Sequence, residues 1–246
     1  MRADRVMFGR VPVDAIDQAS AIDRIEAMIA EDRPHMMVVV NASKLVLAAG
    51  DERLTGILER ADLVTADGMS VVWGARVLGG RLPGRVTGID TMELLVARAA
   101  KRGWRVFFLG AKPEAVAAAV DNLRRANPGL AVAGFRDGYF RGRGAEVVAT
   151  IRAAAPDVLF VAMGSPAQEF FFDEHLGDLG ARFCMGVGGS FDHIAGLSRR
   201  APVWMQRAGL EWLHRFASEP RRLWRRYLIG NARYAALLVR LRLRRR

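Results

Sequence analysis

The alternation of short apolar runs with stretches of helical periodicity is what most limits the folds open to this chain. The runs are Met36–Val40, Leu63–Ala66, Arg105–Leu109, Leu130–Phe135, Val158–Ala162 and Arg182–Val187, and most end at Gly, Asn or Asp. Helical stretches such as Ala15–Ala30, Asp90–Lys101, Glu114–Arg125 and Ala145–Ala154 lie between them. Nearly continuous apolarity is what a parallel strand needs when helices cover both faces of its sheet. The unit at Trp104 is the clearest: the strand WRVFFLG, a short turn, Pro113 at a first helical position, then EAVAAAVDNLRR. The expectation is an α/β layered fold with right-handed crossovers.

That alternation stops near Gly196, and the charge balance changes with it. From Arg199 to Arg246 there are 14 Arg and two acids, Glu211 and Glu219, for a net +12, whereas the preceding 198 residues carry −1. The expected division is an α/β core over 1–195 and an Arg-rich helical appendage over 196–246. Within the appendage the sequence predicts a helix over 203–216, a break at Pro220 and then a long basic helix. Along it Leu223, Trp224, Tyr227, Leu228, Tyr234, Leu237, Leu238 and Leu241 recur at spacings of mostly three and four, with Arg222, Arg225, Arg226, Arg233 and Arg240 mainly between them. Such a stripe suits a helix lying in an anionic membrane interface. The alternative is a surface helix packed on its own domain. A basic segment on a near-neutral body also fits nucleic acid, but the Leu-rich stripe has no use on a duplex and no nucleic-acid motif occurs. Exposed apolar residues in the appendage further suggest self-association.

Other classes are excluded early. With 51% hydrophobic residues the chain is too apolar to be disordered. Cys184 is the only cysteine, so neither an internal disulfide framework nor a Cys-based zinc cage is possible. The four His residues are scattered and the candidate ligand loops hold no D-x-D pair, so no metal is expected. The start, MRADRVMFGRVPVD, has no apolar leader, and no apolar run approaches the roughly 18–20 residues of a membrane span. A cytoplasmic location is the expectation.

Four loops follow expected strands, where open α/β sheets bind ligands. In VVVNASK, Asn41 is placed to hydrogen-bond a base or sugar. In LVTADGMS, Asp67 reads from spacing alone first as an N-cap or turn residue, and second as a carboxylate base at a strand end. In VAMGSPAQEF, Gln168 and Glu169 sit in the first turn of a helix: Glu169 as an acid near the positive dipole end, Gln168 as a ligand contact. In MGVGGSFDHIAG, Gly186, Gly188 and Gly189 precede Asp192, and such glycines let backbone N–H groups approach a diphosphate. Neither a P-loop nor a G-x-G-x-x-G fingerprint is present, nor a hydrolase elbow or kinase set.

Taken in order, NASKLVLA, ADLVTADGMSVVW, RVTGID, VFFLGAKPEA, GYF, MGSPAQEF, GVGGSFDHIAG, RAPVW and GLEWLHRFASEPRRLWRRY resemble the WecG/TagA/CpsF glycosyltransferases, from about Val38 to Tyr227. The resemblance implies a Rossmann-like core and a membrane-associated, inverting transfer of a hexose or N-acetylhexosamine. The donor would be a UDP-sugar and the acceptor a polyprenyl-diphosphate-linked saccharide on the inner membrane face. It makes Asp67 the base, reversing the order given by spacing. Asn41, Arg85, Gln168, Glu169, Gly188, Gly189 and Asp192 become donor contacts, and Arg215, Arg222, Arg225 and Arg226 contacts to the acceptor diphosphate. No cofactor or metal is implied. One position departs from the pattern: Val39 stands where many relatives carry Thr. An inactive relative serving as an assembly subunit is the remaining alternative, and intact Asp67 and GSPAQE argue against it.

Overall fold

The computed structural model describes residues 4–198, 201–202, 204–205, 213, 216 and 220–244, with 220–228 as helical backbone only. A hairpin of β1 (Arg5–Phe8) and β2 (Val11–Asp14) opens the chain. Then come α1 (Gln18–Ile29), β3 (His35–Val40), α2 (Ala42–Ala48), α3 (Glu52–Arg60), β4 (Leu63–Ala66), α4 (Met69–Val77) and α5 (Gly88–Arg102). They are followed by β5 (Arg105–Gly110), α6 (Pro113–Ala126), β6 (Ala131–Arg136), α7 (Gly144–Ala154), β7 (Val158–Ala162), α8 (Ala167–His175), β8 (Phe183–Gly186) and α9 (Ser190–Ile194). The last described helix is α10, Pro220–Leu243. The expected helix over 203–216 falls mostly outside the described residues.

Strands β3 to β8 form one parallel sheet in the order β4-β3-β8-β7-β5-β6. This is the expected α/β, Rossmann-like core. Each inner strand feeds two apolar layers alternately, because successive side chains point to opposite faces. In β3, Met36, Val38 and Val40 join one layer while Met37 and Val39 join the other; in β5, Phe107 and Leu109 oppose Val106 and Phe108. Helices α1, α5, α6 and α9 cover one face; the hairpin, α2, α3, α4, α7 and α8 cover the other.

The hairpin was not foreseen. Gly9, with φ of 68°, turns it in two residues, and Asp14 then ties it to the sheet. Asp14 is fully buried, pairs with Arg5 at 3.0 Å and Arg24 at 3.1 Å, and accepts the Val64 N–H at 2.8 Å. An edge-strand donor is thereby satisfied by a side chain.

Helix α10 packs on the core along its second half. Tyr234 and Leu238 are buried in the layer that holds Phe8, Val71 and Ala75, with Leu237 and Leu241 against it. The close approach needs Gly74, because a Cβ there would overlap the Tyr234 hydroxyl and lie 3.2 Å from Leu238 Cδ2. So the second half of the stripe expected to meet a membrane is covered by the protein's own core. The side chains of Leu223, Trp224, Tyr227 and Leu228 lie outside the described residues.

Candidate active site

Strands β4, β3, β8 and β7 are consecutive in the sheet and parallel, so all four candidate loops emerge side by side at one edge. Adjacent β3 and β8 send their helices to opposite faces, α2 to one layer and α9 to the other. Such a switch point opens a crevice at the carboxyl ends of the strands.

Asp67 follows the last residue of β4, and its N–H donates to Val40 O at 2.8 Å, tying the β4 loop to the β3 loop. It is half-buried and stands one residue before the cap of α4. The cap itself is Gly68, whose φ of 103° suits glycine. The N-cap assignment suggested by spacing is therefore corrected: the sharp turn at Gly68 starts the helix a residue later. Arg85 belongs to a segment laid along the same strand end, where Val86 N–H donates to Ala66 O at 2.8 Å and Thr65 Oγ1 to Val86 O at 3.3 Å. Arg85 is thus brought beside the Asp67 loop. Thr87 next caps α5, its Oγ1 accepting the Asp90 N–H at 3.2 Å.

Asn41 is the N-cap of α2; its Oδ1 accepts the Lys44 N–H at 3.0 Å. Its Nδ2 has no partner among the described residues and remains available as a donor. Val39 is buried two residues earlier, its Cγ2 3.8 Å from where a Cβ of Gly88 would lie.

Gln168 and Glu169 lie deeper than sequence reasoning placed them, with 3% and 1% exposure. The turn that delivers them has Gly164 at φ 75° and a cis Ser165–Pro166 peptide. Gln168 Nε2 donates to Glu169 Oε1 at 2.9 Å, and Gly188 N–H donates to Gln168 Oε1 at 3.1 Å. Glu169 Oε1 also receives the Lys44 ammonium at 2.7 Å. The Gly188 amide is therefore engaged within the protein. The Gly189 N–H has no partner among the described residues, and the residue itself is exposed. Asp192 is half-buried in the first turn of α9. Sequence reasoning missed Lys44; the one signal was a lone lysine on the otherwise apolar NASKLVLA helix, where a buried charge needs a partner. Gly186 was read as a diphosphate approach, but a Cβ there would lie 2.7 Å from Gln168 Cδ, so its role is to admit that side chain.

Arg215 lies outside the described residues, as do the side chains of Arg222, Arg225 and Arg226, whose backbone belongs to α10. That helix reaches the site edge: Tyr234 Oη donates to Ser70 O at 3.2 Å in the first turn of α4, and a Cβ at Gly230 would sit 4.0 Å from Ser43 Oγ in the first turn of α2. At its other end, Arg242 approaches Gly79, beyond the end of α4. Going back from Arg242 to Gly230, α10 climbs towards the loops that carry Asn41 and Asp67. No helix among the described residues is long and apolar enough to cross a membrane.

A parallel α/β sheet with polar loops gathered at its carboxyl edge, among them one with a half-buried carboxylate, has the crevice in which open α/β enzymes bind their ligands. A family profile described as "Glycosyl transferase WecG/TagA/CpsF family" matches residues 6–246, and the chain belongs to that family: it is a glycosyltransferase. Two similar proteins carry the name N-acetylglucosaminyldiphosphoundecaprenol N-acetyl-beta-D-mannosaminyltransferase. The one from Bacillus spizizenii (strain ATCC 23059 / NRRL B-14472 / W23) is 37% identical over 181 residues, 74% of this chain and 70% of the relative. The one from Bacillus subtilis (strain 168) is 32% identical over 219 residues, 89% of this chain and 85% of the relative.

Proposed function

We propose that this enzyme transfers an N-acetylmannosamine-type sugar from a UDP-sugar to a polyprenyl-diphosphate-linked N-acetylglucosamine at the inner face of the cytoplasmic membrane. The carrying observation is the convergence of Asp67, Arg85 and Asn41 at one sheet edge, beside which the Arg-bearing helix α10 passes at Ser43. The sugar and acceptor are taken from the names of the two Bacillus relatives.

A β-linked product from an α-linked nucleotide sugar requires inversion, hence a single displacement. Asp67 accepts the proton of the acceptor hydroxyl as that oxygen attacks the anomeric carbon. The bond from this carbon to the diphosphate oxygen breaks, and UDP leaves with the electron pair. Its growing charge needs donors already in place. Arg85, the Gly189 N–H and arginines of the appendage supply them, with no divalent cation in the scheme. Asn41 Nδ2 and the Asp192 carboxylate orient the nucleotide and sugar hydroxyls, and Arg215, Arg222, Arg225 and Arg226 hold the lipid diphosphate.

The test is UDP release with a panel of UDP-sugars and a short-chain polyprenyl-diphosphate N-acetylglucosamine, with and without anionic liposomes. Acceptor-dependent release with UDP-N-acetylmannosamine is expected, falling about 10²- to 10⁴-fold in Asp67→Asn with UDP binding retained. Turnover near wild type in that variant would remove Asp67 from the mechanism; release with a different sugar only would correct the donor.

A further inference from the structure

A buried chain of polar contacts crosses three of the four loops. Asn41 Oδ1 caps the Lys44 N–H at 3.0 Å, and the Lys44 ammonium meets Glu169 Oε1 at 2.7 Å. Gln168 Nε2 donates to the same oxygen at 2.9 Å, and Gln168 Oε1 takes the Gly188 N–H at 3.1 Å. Lys44, Gln168 and Glu169 are each no more than 6% exposed. A buried ion pair is a poor stabilising device, because desolvating two charges offsets most of their attraction. Here the balance is worse still, since Glu169 Oε2 is buried with no hydrogen-bond partner among the described residues. Stability alone does not account for the arrangement.

Geometry does. The Gln168 amide has one workable orientation: its NH₂ must face a carboxylate and its oxygen must face the Gly188 N–H. Glu169 supplies that carboxylate and the Lys44 ammonium, 2.7 Å away, holds it in place. A neutral group at Glu169 would let the amide turn over and set NH₂ against N–H. Gly186 lacks the Cβ that would overlap the Gln168 side chain in this placement.

We propose that Lys44 and Glu169 are positioning residues whose buried pair locks Gln168, which in turn holds the Gly188–Gly189 turn in the shape that receives the donor diphosphate. The final clause rests on the glycosyltransferase scheme above; the locking of the turn does not. Gln168 and Glu169 then act beneath the substrate, without touching it.

Two variants test this. Glu169→Gln keeps the volume and removes the charge; the double variant Lys44→Met with Glu169→Leu replaces the pair by apolar groups of similar size. Each is followed by thermal unfolding, by amide hydrogen exchange of the segment 187–190, and by steady-state kinetics with UDP-N-acetylmannosamine and the lipid acceptor. In whichever variant keeps a cooperative transition, exchange at Gly188 is expected to rise about tenfold, as for loss of one hydrogen bond. KM for the donor should rise with it while KM for the acceptor stays unchanged. Unchanged exchange in a folded variant overturns the locking, and so does loss of folding in both, which would make the pair a stabilising element. If the wild type turns over no sugar, the functional scheme fails while the exchange result still judges the lock.

Discussion

Replacing Gly74 by alanine puts the docking of α10 to a quantitative test. In isolation the change favours the helix, since alanine is about 1 kcal/mol better than glycine in a helix interior. In this fold the new methyl would overlap the Tyr234 hydroxyl and sit 3.1 Å from Phe8 Cε1 and 3.2 Å from Leu238 Cδ2. Tyr234 is 6% exposed and Leu238 8%, so neither can yield without leaving the core. Overpacking of this kind costs about 1–3 kcal/mol, and lifting the helix instead would expose two side chains worth roughly 1.5–3 kcal/mol each. Gly74→Ala should therefore destabilise by about 0–2 kcal/mol after the propensity gain.

Tyr234→Phe alone loses the 3.2 Å bond to Ser70 O, about 1 kcal/mol. In the double variant the offending hydroxyl is gone, so the two losses should not add; a coupling of about 1–2 kcal/mol in the compensating direction is expected. Urea unfolding of the four proteins measures it, with sugar transfer followed in parallel. On the functional scheme, turnover falls in Gly74→Ala and returns in the double variant. Losses that add to within about 0.5 kcal/mol, or a Gly74→Ala protein more stable than the wild type, would refute the docking geometry.

Asp14→Ala should cost about 3–5 kcal/mol, because it removes the carboxylate partner of Arg5 and Arg24, leaving them the Asp62 carbonyl, and unpairs the Val64 N–H; a loss under about 1 kcal/mol in urea unfolding would show that water replaces the carboxylate. Burial pushes the Cys184 thiol and the Tyr234 phenol well above their ordinary ranges. Both must stay neutral in the folded state, so their contribution is complete below the unfolded thiol value of about 8.5 and shrinks as pH rises past it. Unfolding free energy should fall between pH about 8.5 and about 10 with a smaller slope in Cys184→Ala, and an equal slope would sink the assignment. Alkylation of Cys184 should likewise proceed only as fast as the protein opens.

The sheet was legible because its strands are apolar on both faces. β4 and β7 match their expected spans, and β3 begins one residue earlier than expected. The hairpin escaped because its strands are four residues each, with Arg5 and Asp14 at positions that look solvent-facing until the buried ion pair joins them. The candidate loops follow from the rule that ligands gather at strand carboxyl ends, and the structure sets all four at one edge of the sheet, but their internal wiring was not legible. Lys44 and Glu169 lie 125 residues apart in sequence, and no local pattern marks a lysine as buried. The docking of α10 was hidden for the same reason: the periodicity that suits a membrane interface also suits a helix packed on its own domain, and what decides between them is the bare Gly74 on α4.

That docking fixes how far the cationic half of α10 can reach. The helix is held at Tyr234 and Leu238 and passes Ser43 at Gly230. Arg222, Arg225 and Arg226 precede Gly230 by four to eight residues, or about 6–12 Å of helix, on the side towards the loops of Asn41 and Asp67. An anionic headgroup surface attracts each such charge by about 1 kcal/mol, so changing all three to Gln should weaken binding to anionic vesicles roughly 100-fold at low salt. The difference should vanish in about 1 M salt, where the screening length is near 3 Å. Stability should hold, because the anchor residues are untouched. Three outcomes separate the roles of these arginines. Vesicle binding and turnover lost together, with turnover restored by detergent-soluble acceptor, makes them a membrane contact. Turnover lost on soluble acceptor with vesicle binding intact makes them contacts to the lipid diphosphate. Neither lost would mean that the charge of this segment serves neither purpose, and the membrane-facing part of the scheme would fall with it.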